Sequence, residues 1–143
     1  MTLNNFQFNT TPGIRFGSGQ VKNACKEIID KLGSRILFVT DKGLMSLGLT
    51  KPTIEELKKM ILVEIFDDVE ADPSQKTLLK AIEIGRKIKA TGVIGFGGGS
   101  SMDVAKLSAL ILGSNEDLEE AWGVANAKGP RLPLALVPTT AGT

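Results

Sequence analysis

The chain has no histidine, no tyrosine and a single cysteine, Cys25, among its 143 residues. Without histidine it lacks the commonest general base, the usual partner of a Ser or Cys nucleophile, and the commonest transition-metal ligand. The composition therefore argues against a self-sufficient hydrolase or zinc enzyme. One cysteine leaves no internal disulfide framework and fits a reducing compartment. No apolar run approaches the length needed to cross a bilayer, and the opening residues MTLNNFQFNT lack the basic start and apolar stretch of a signal peptide. A soluble, cytoplasmic protein is expected. Charge of one sign is also missing: 17 Lys and Arg face 16 Asp and Glu, scattered along the chain. This balance gives no footprint for nucleic acid or for an anionic membrane, and leaves a small molecule as the expected partner.

What is present reads as one layered domain. Residues 5–17 alternate apolar and polar around Pro12-Gly13, the pattern of a hairpin or a pair of edge strands. From residue 21 to 32, Val21, Ala24, Cys25, Ile28, Ile29 and Leu32 recur at helical spacing, so Cys25 is read as packing rather than as a reactive thiol. Residues 36–40 form a continuous apolar run before an Asp41-Lys42-Gly43 turn, which suits a strand covered on both faces. Thr53, with Glu56 three residues later, predicts a capped helix, followed by a short strand over 63–66. An acidic turn over 67–73 leads to a helix over 74–90, and a buried strand over 93–96 leads through glycines to an apolar, central helix over 102–112. Residues 113–131 read as a polar surface excursion with an acidic helix start, Trp122 and a Gly129-Pro130 turn. A last buried strand then runs into Pro138-Thr139-Thr140-Ala141-Gly142-Thr143. Strands apolar on both faces and separated by helices predict an α/β, Rossmann-like layered domain with a mostly parallel sheet, preceded by the N-terminal β-hairpin.

The strongest chemical signal is Gly95-Phe96-Gly97-Gly98-Gly99-Ser100-Ser101-Met102-Asp103-Val104-Ala105-Lys106, between a buried strand and a buried helix. Glycines let the backbone come close to a ligand. Successive N–H groups at a helix start form a concave donor site, and the helix dipole adds positive potential there. Such a site suits a phosphate. The structural alternative is a tight strand-to-helix turn with Ser100 or Ser101 as N-cap and Asp103 complementing the dipole. Asp103 and Lys106, three residues apart on one helix face, suit either a salt bridge or recognition of ribose hydroxyls.

The order of elements is not that of the usual dinucleotide fingerprint, because the glycine turn follows a late strand and no acidic residue closes a later one. The candidate adenosine-side acid comes earlier. Asp41 ends the strand over 36–40 and would lie at the same sheet edge as the glycines, where a carboxylate can accept ribose hydroxyls and repel a 2′-phosphate, favouring NAD over NADP. A plain turn residue before Gly43 is the alternative. Thr139, Thr140 and Gly142 could line the same crevice from the end of the last strand.

Taken together, Pro12, Phe16-Gly17-Ser18-Gly19, Val39-Thr40-Asp41-Lys42-Gly43, Gly97-Gly98-Gly99-Ser100 with Asp103 and Lys106, and the closing Pro138-Thr139-Thr140-Ala141-Gly142-Thr143 resemble the iron-activated (group III) alcohol dehydrogenases over essentially the whole chain. The resemblance implies an NAD(P)-binding domain over residues 1–143 with the pyrophosphate on Gly98-Gly99-Ser100. It places Asp41 at the adenosine ribose, Asp72 and Pro73 on the adenine side, Thr139 and Thr140 across the sheet, and Lys106 toward the nicotinamide half. It also implies a helical C-terminal domain, absent from these residues, whose one Asp and three His bind a divalent metal, iron or zinc. That metal polarises an alcohol oxygen while hydride passes to nicotinamide. The parent would act on a primary alcohol, diol or aldehyde, as a homo-oligomer, a dimer. The fragment alone would hold no catalytic residue. Glycerol dehydrogenases and dehydroquinate synthases resemble the chain in fold and glycine turn, but Ser100 and the Thr-Thr-Ala-Gly-Thr ending favour the alcohol dehydrogenase branch. An alternative of another class is a free-standing, non-catalytic nucleotide-binding or assembly module.

Overall fold

A computed structural model describes residues 11–121, 123 and 126–140. Its centre is a four-stranded, all-parallel sheet of β1 (Arg35–Val39), β2 (Leu62–Phe66), β3 (Gly92–Gly97) and β4 (Leu134–Pro138), in the spatial order β2-β1-β3-β4. The apolar run of β1 is buried because alternate side chains enter opposite layers. Leu37 and Val39 pack with Val93 against α5 (Gln75–Lys87) and α6 (Gly99–Ser114). Ile36 and Phe38 pack with Ile94 and Phe96 against α2 (Cys25–Leu32) and α4 (Lys51–Lys58). The Phe38 and Phe96 rings stack with centroids 5.9 Å apart. Two apolar layers thus hold the sheet from both sides, the α/β/α sandwich expected from strands without polar alternation.

Several local expectations are corrected. The helix over residues 21–32 is two, α1 (Gln20–Asn23) and α2, parted at Ala24. Cys25 is buried in it as packing, and burial pushes its thiol pKa up. The turn at Asp41 opens a short helix, α3 (Lys42–Ser46). Helix α4 starts at Thr50 rather than Thr53, because Pro52 supplies a pre-set helical φ in its first turn and Thr53 is buried inside it. Helix α6 takes in the glycine run from Gly99, so neither Ser100 nor Ser101 is its N-cap. Residues 118–121 form turns rather than the start of a helix. The excursion is tied by the Glu116 carboxylate, which accepts from the N–H of Lys128 at 3.0 Å, and Trp122 lies outside the described residues. Residues 5–10 of the expected hairpin also lie outside them, while residues 11–17 carry no strand and leave Ile14 and Phe16 exposed.

The last strand departs from expectation in burial. Among the described residues β4 is hydrogen-bonded only to β3, and Leu136 is 36% exposed. An apolar run does not ensure burial when a strand sits at the sheet margin.

Candidate functional site

All four strands run in one direction, so their carboxyl ends share one edge. The chain steps from β1 to β2 on one side and then crosses to β3 on the other, which makes the gap above β1 and β3 the topological switch point. In open parallel sheets ligands bind at this place. Register puts Val39 beside Gly95, so Asp41 and the Gly97-Gly98-Gly99 turn leave the sheet on either side of that gap. β4 adds a third wall: the Thr139 N–H donates to the Gly97 carbonyl at 3.0 Å, and Thr140 lies over Gly98.

The four glycines here do different work. A Cβ on Gly95 would meet the Ala105 Cβ at 2.6 Å and Leu136 at 2.9 Å, so this glycine lets α6 lie close on β3 and β4. Gly97 has φ +154°, and a Cβ there would meet the Ser101 Oγ at 2.7 Å and Leu44 of α3 at 3.2 Å. Both are needed by the fold. A Cβ on Gly98 would make only an ordinary contact with Thr140 at 3.5 Å, and one on Gly99 would meet nothing within 4 Å. Packing does not demand glycine at Gly99. Open space over the backbone is what a close-approaching ligand needs.

Helix α6 runs for 16 residues from an N-cap, Gly98, that has no side chain to cap it. The first four N–H groups of a helix have no partner within it, and the dipole of a long helix concentrates positive potential there. The Asp41 side of the gap is built differently. Its Oδ1 accepts the Leu44 N–H at 2.9 Å and caps α3, while the second carboxylate oxygen is free of that bond and can accept a ligand hydroxyl. Thr40, missed in the sequence, sits beside Asp41 fully buried, and its Oγ1 has no hydrogen-bond partner among the described residues. A threonine ending an apolar strand beside an acidic residue was the available signal.

A second group gathers elsewhere. Pro73, Ser74, Leu78, Asp103, Lys106 and Leu118 line an open groove of about 460 Å³ between α5 and α6. Lys106 pairs with Asp103 at 3.0 Å with both side chains more than half exposed, so that pair adds little stability. Pro73 and Lys106, which the resemblance assigns to opposite ends of a dinucleotide, therefore share one groove. Asp72 is exposed, with φ 55°. Next to it the start of α5 is strongly capped. The Ser74 Oγ accepts from the Thr77 N–H, and Glu70 accepts from the Ser74 N–H at 3.1 Å and the Thr77 hydroxyl at 2.5 Å. Led by the Thr77 hydroxyl, these donors pull the Glu70 pKa down to about 2. Gly142 lies outside the described residues.

No group of three or more His, Cys, Asp or Glu that could hold a metal ion occurs among the described residues, and none of their helices is long and apolar enough to cross a membrane.

Comparison with known proteins fits this geometry. A family model described as iron-containing alcohol dehydrogenase matches residues 11–143. The sulfoacetaldehyde reductase of Bilophila wadsworthia is 32% identical over 139 residues, 96% of this chain and 36% of that protein. The choline dehydrogenase of Bacillus subtilis is 37% identical over 134 residues, 91% of this chain and 33% of that protein. The crystal structure of sulfoacetaldehyde reductase from Bifidobacterium kashiwanohense in complex with NAD+ superimposes with a TM-score of 0.83 at 29% identity, over 98% of this chain and 37% of that one. The chain spans about a third of the length of the curated relatives it matches.

Proposed function

Since the chain belongs to the iron-containing alcohol dehydrogenase family, we propose that it is the nucleotide-binding part of an NAD-dependent oxidoreductase that interconverts a small alcohol or diol and its aldehyde. The observation that carries this reading is the helix start at the switch point, uncapped, with open space above Gly99. A cradle of backbone N–H groups that an added side chain would fill fits a pyrophosphate. When bound, the nicotinamide supplies the hydride acceptor or donor.

The residues of this chain bind and orient. The N–H groups of Gly98, Gly99, Ser100 and Ser101 hold the two phosphates at the uncapped start of α6. Asp41 accepts a hydroxyl of the adenosine ribose on the oxygen its cap leaves free and repels a 2′-phosphate, which selects NAD. Thr139 and Thr140 close the crevice from β4, Gly142 is assigned to the cofactor as the resemblance implies, and Asp72 and Pro73 take the adenine side, Pro73 from the groove between α5 and α6. Asp103 and Lys106 line the adjoining groove. We assign no catalytic residue to the chain. As the family resemblance implies, we assign the divalent metal, iron or zinc, to a helical C-terminal domain outside these residues. We further propose a cytoplasmic enzyme acting as a homodimer, with no nucleic-acid or membrane partner.

Calorimetric titration of the chain with NADH and NADPH tests the reading. Saturable binding that prefers NADH is expected, and is weakened by Gly99→Val with an unchanged melting temperature. Binding of neither nucleotide overturns it.

A further inference from the structure

Beside Asp41 the chain places a second carboxylate that the dinucleotide reading does not use. Asp41 and Asp68 form an isolated antiparallel bridge, so the residue two positions past β2 lies against the residue that ends the β1 excursion. The Asp68 carboxylate engages two lysines at once. Lys42, the first residue of α3, pairs with its Oδ1, and Lys80 of α5 lies 3.4 Å from its Oδ2. Three elements thus bring two ammonium groups and two carboxylates to one end of the crevice. The lysines hold the Asp68 pKa below the ordinary carboxylate value, chiefly through the hydrogen bond from Lys42, and Asp68 in turn raises that of Lys42.

We infer that Asp68 is a second determinant of cofactor selectivity, a positioning residue that keeps Lys42 and Lys80 engaged and so denies a 2′-phosphate the cations it would need. The inference rests on the reading of Asp41 as the acid at the adenosine ribose. Asp41 opposes the phosphate directly, by like charge. Asp68 opposes it indirectly, by occupying its natural partners. Lysine is a compact point charge on a flexible stem and can turn to a new anion within reach once its own is removed. The Lys42 and Lys80 side chains are half exposed or more, so their pairs with Asp68 are weak enough to be exchanged for a phosphate carrying more charge. Replacing Asp41 alone removes the repulsion but leaves both lysines held. Replacing Asp68 alone frees the lysines but leaves the repulsion. The two acids are therefore coupled, and the double replacement exceeds the product of the single ones.

The test is fluorescence titration of the chain with NADH and NADPH, for the wild type, Asp68→Asn, Asp41→Asn and the double variant, each checked by circular dichroism. Asn can still cap α3, and Asp68 is about half exposed, so the variants keep the fold. Asp68→Asn is expected to raise NADPH affinity relative to NADH roughly three- to tenfold, an effect that shrinks at high salt. Adding Lys42→Gln to Asp68→Asn removes most of the gain. Glu70→Gln deletes a nearby carboxylate whose bonds go to Ser74 and Thr77 instead of to a lysine, and leaves the ratio unchanged. A wild type that binds NADH while Asp68→Asn leaves the ratio unmoved overturns the inference alone. So does an equal shift from Glu70→Gln, which would show that only total charge matters. A wild type that binds neither nucleotide overturns the dinucleotide reading and this inference with it.

Discussion

Three helices leave the carboxyl edge of the sheet directly after a strand, and two of them start in opposite ways. After β1 the chain supplies its own anion: Asp41 caps α3 and satisfies the Leu44 N–H. After β3 it supplies none, and α6, the longest helix, begins with no side-chain cap at all. The start of α5, after β2, sides with the first, closed by Ser74 and Glu70. A helix start costs stability when its N–H groups go unpaired. At this one edge two helix starts are closed by side chains and that of α6 is left open, and an anionic ligand is what such a start attracts.

The sharpest way to break this comparison is to fill the open start. Gly99→Val is expected to weaken NADH binding by more than roughly tenfold, about 1.4 kcal/mol or more, while the melting temperature stays put. Equal affinity of the two proteins in a titration would mean that the α6 start is open for no ligand. The contrasting glycine sharpens the point. Gly97→Ala forces a side chain into a backbone with φ +154° and against Ser101, so a loss of about 1–3 kcal/mol in urea unfolding is expected. Next in size, Asp41→Ala removes a cap and should cost about 1 kcal/mol of stability. It should also move the NADH to NADPH affinity ratio toward NADPH, whereas a stability change with an unmoved ratio would reduce Asp41 to its capping role.

The smallest effect concerns the third start. The Glu70 carboxyl, lowered from 4.5 to about 2 in the folded chain, contributes stability that is fully present above pH about 4.5 and is lost as pH falls toward about 2. Glu70→Gln should flatten the stability profile across that window in acid-unfolding curves and leave it unchanged near neutrality in slope. A profile identical to that of the wild type would show that the bonds from Thr77 and Ser74 do not favour the charged form.

Much of this was legible in the sequence, for identifiable reasons. β1 and β3 were readable because strands covered on both faces leave an unbroken apolar signature, and α5 because its apolar face and its start at Ser74 agree. The glycine run announced a close approach. Its division of labour was hidden, since Gly97 and Gly99 look alike until Ser101 and Leu44 are found beside one and open space beside the other. The burial of β4 was misread, because strand apolarity reports what a segment could bury and not whether a layer covers it. Asp68 passed as one acidic residue in a turn, since its partners Lys42 and Lys80 lie 26 and 12 residues away.

By itself the sequence determined the class of fold, the strands at its centre and the glycine turn between β3 and α6, because periodicity, glycine and capping chemistry act over a few neighbouring residues. Only the tertiary structure decided which glycines packing leaves open, that Asp41 spends one oxygen on α3, and that Asp68 lies beside it with Lys42 and Lys80. Those facts depend on contacts between strands and helices distant in the chain, and the parallel crossovers that bring them to one sheet edge leave no local mark in the residues they join.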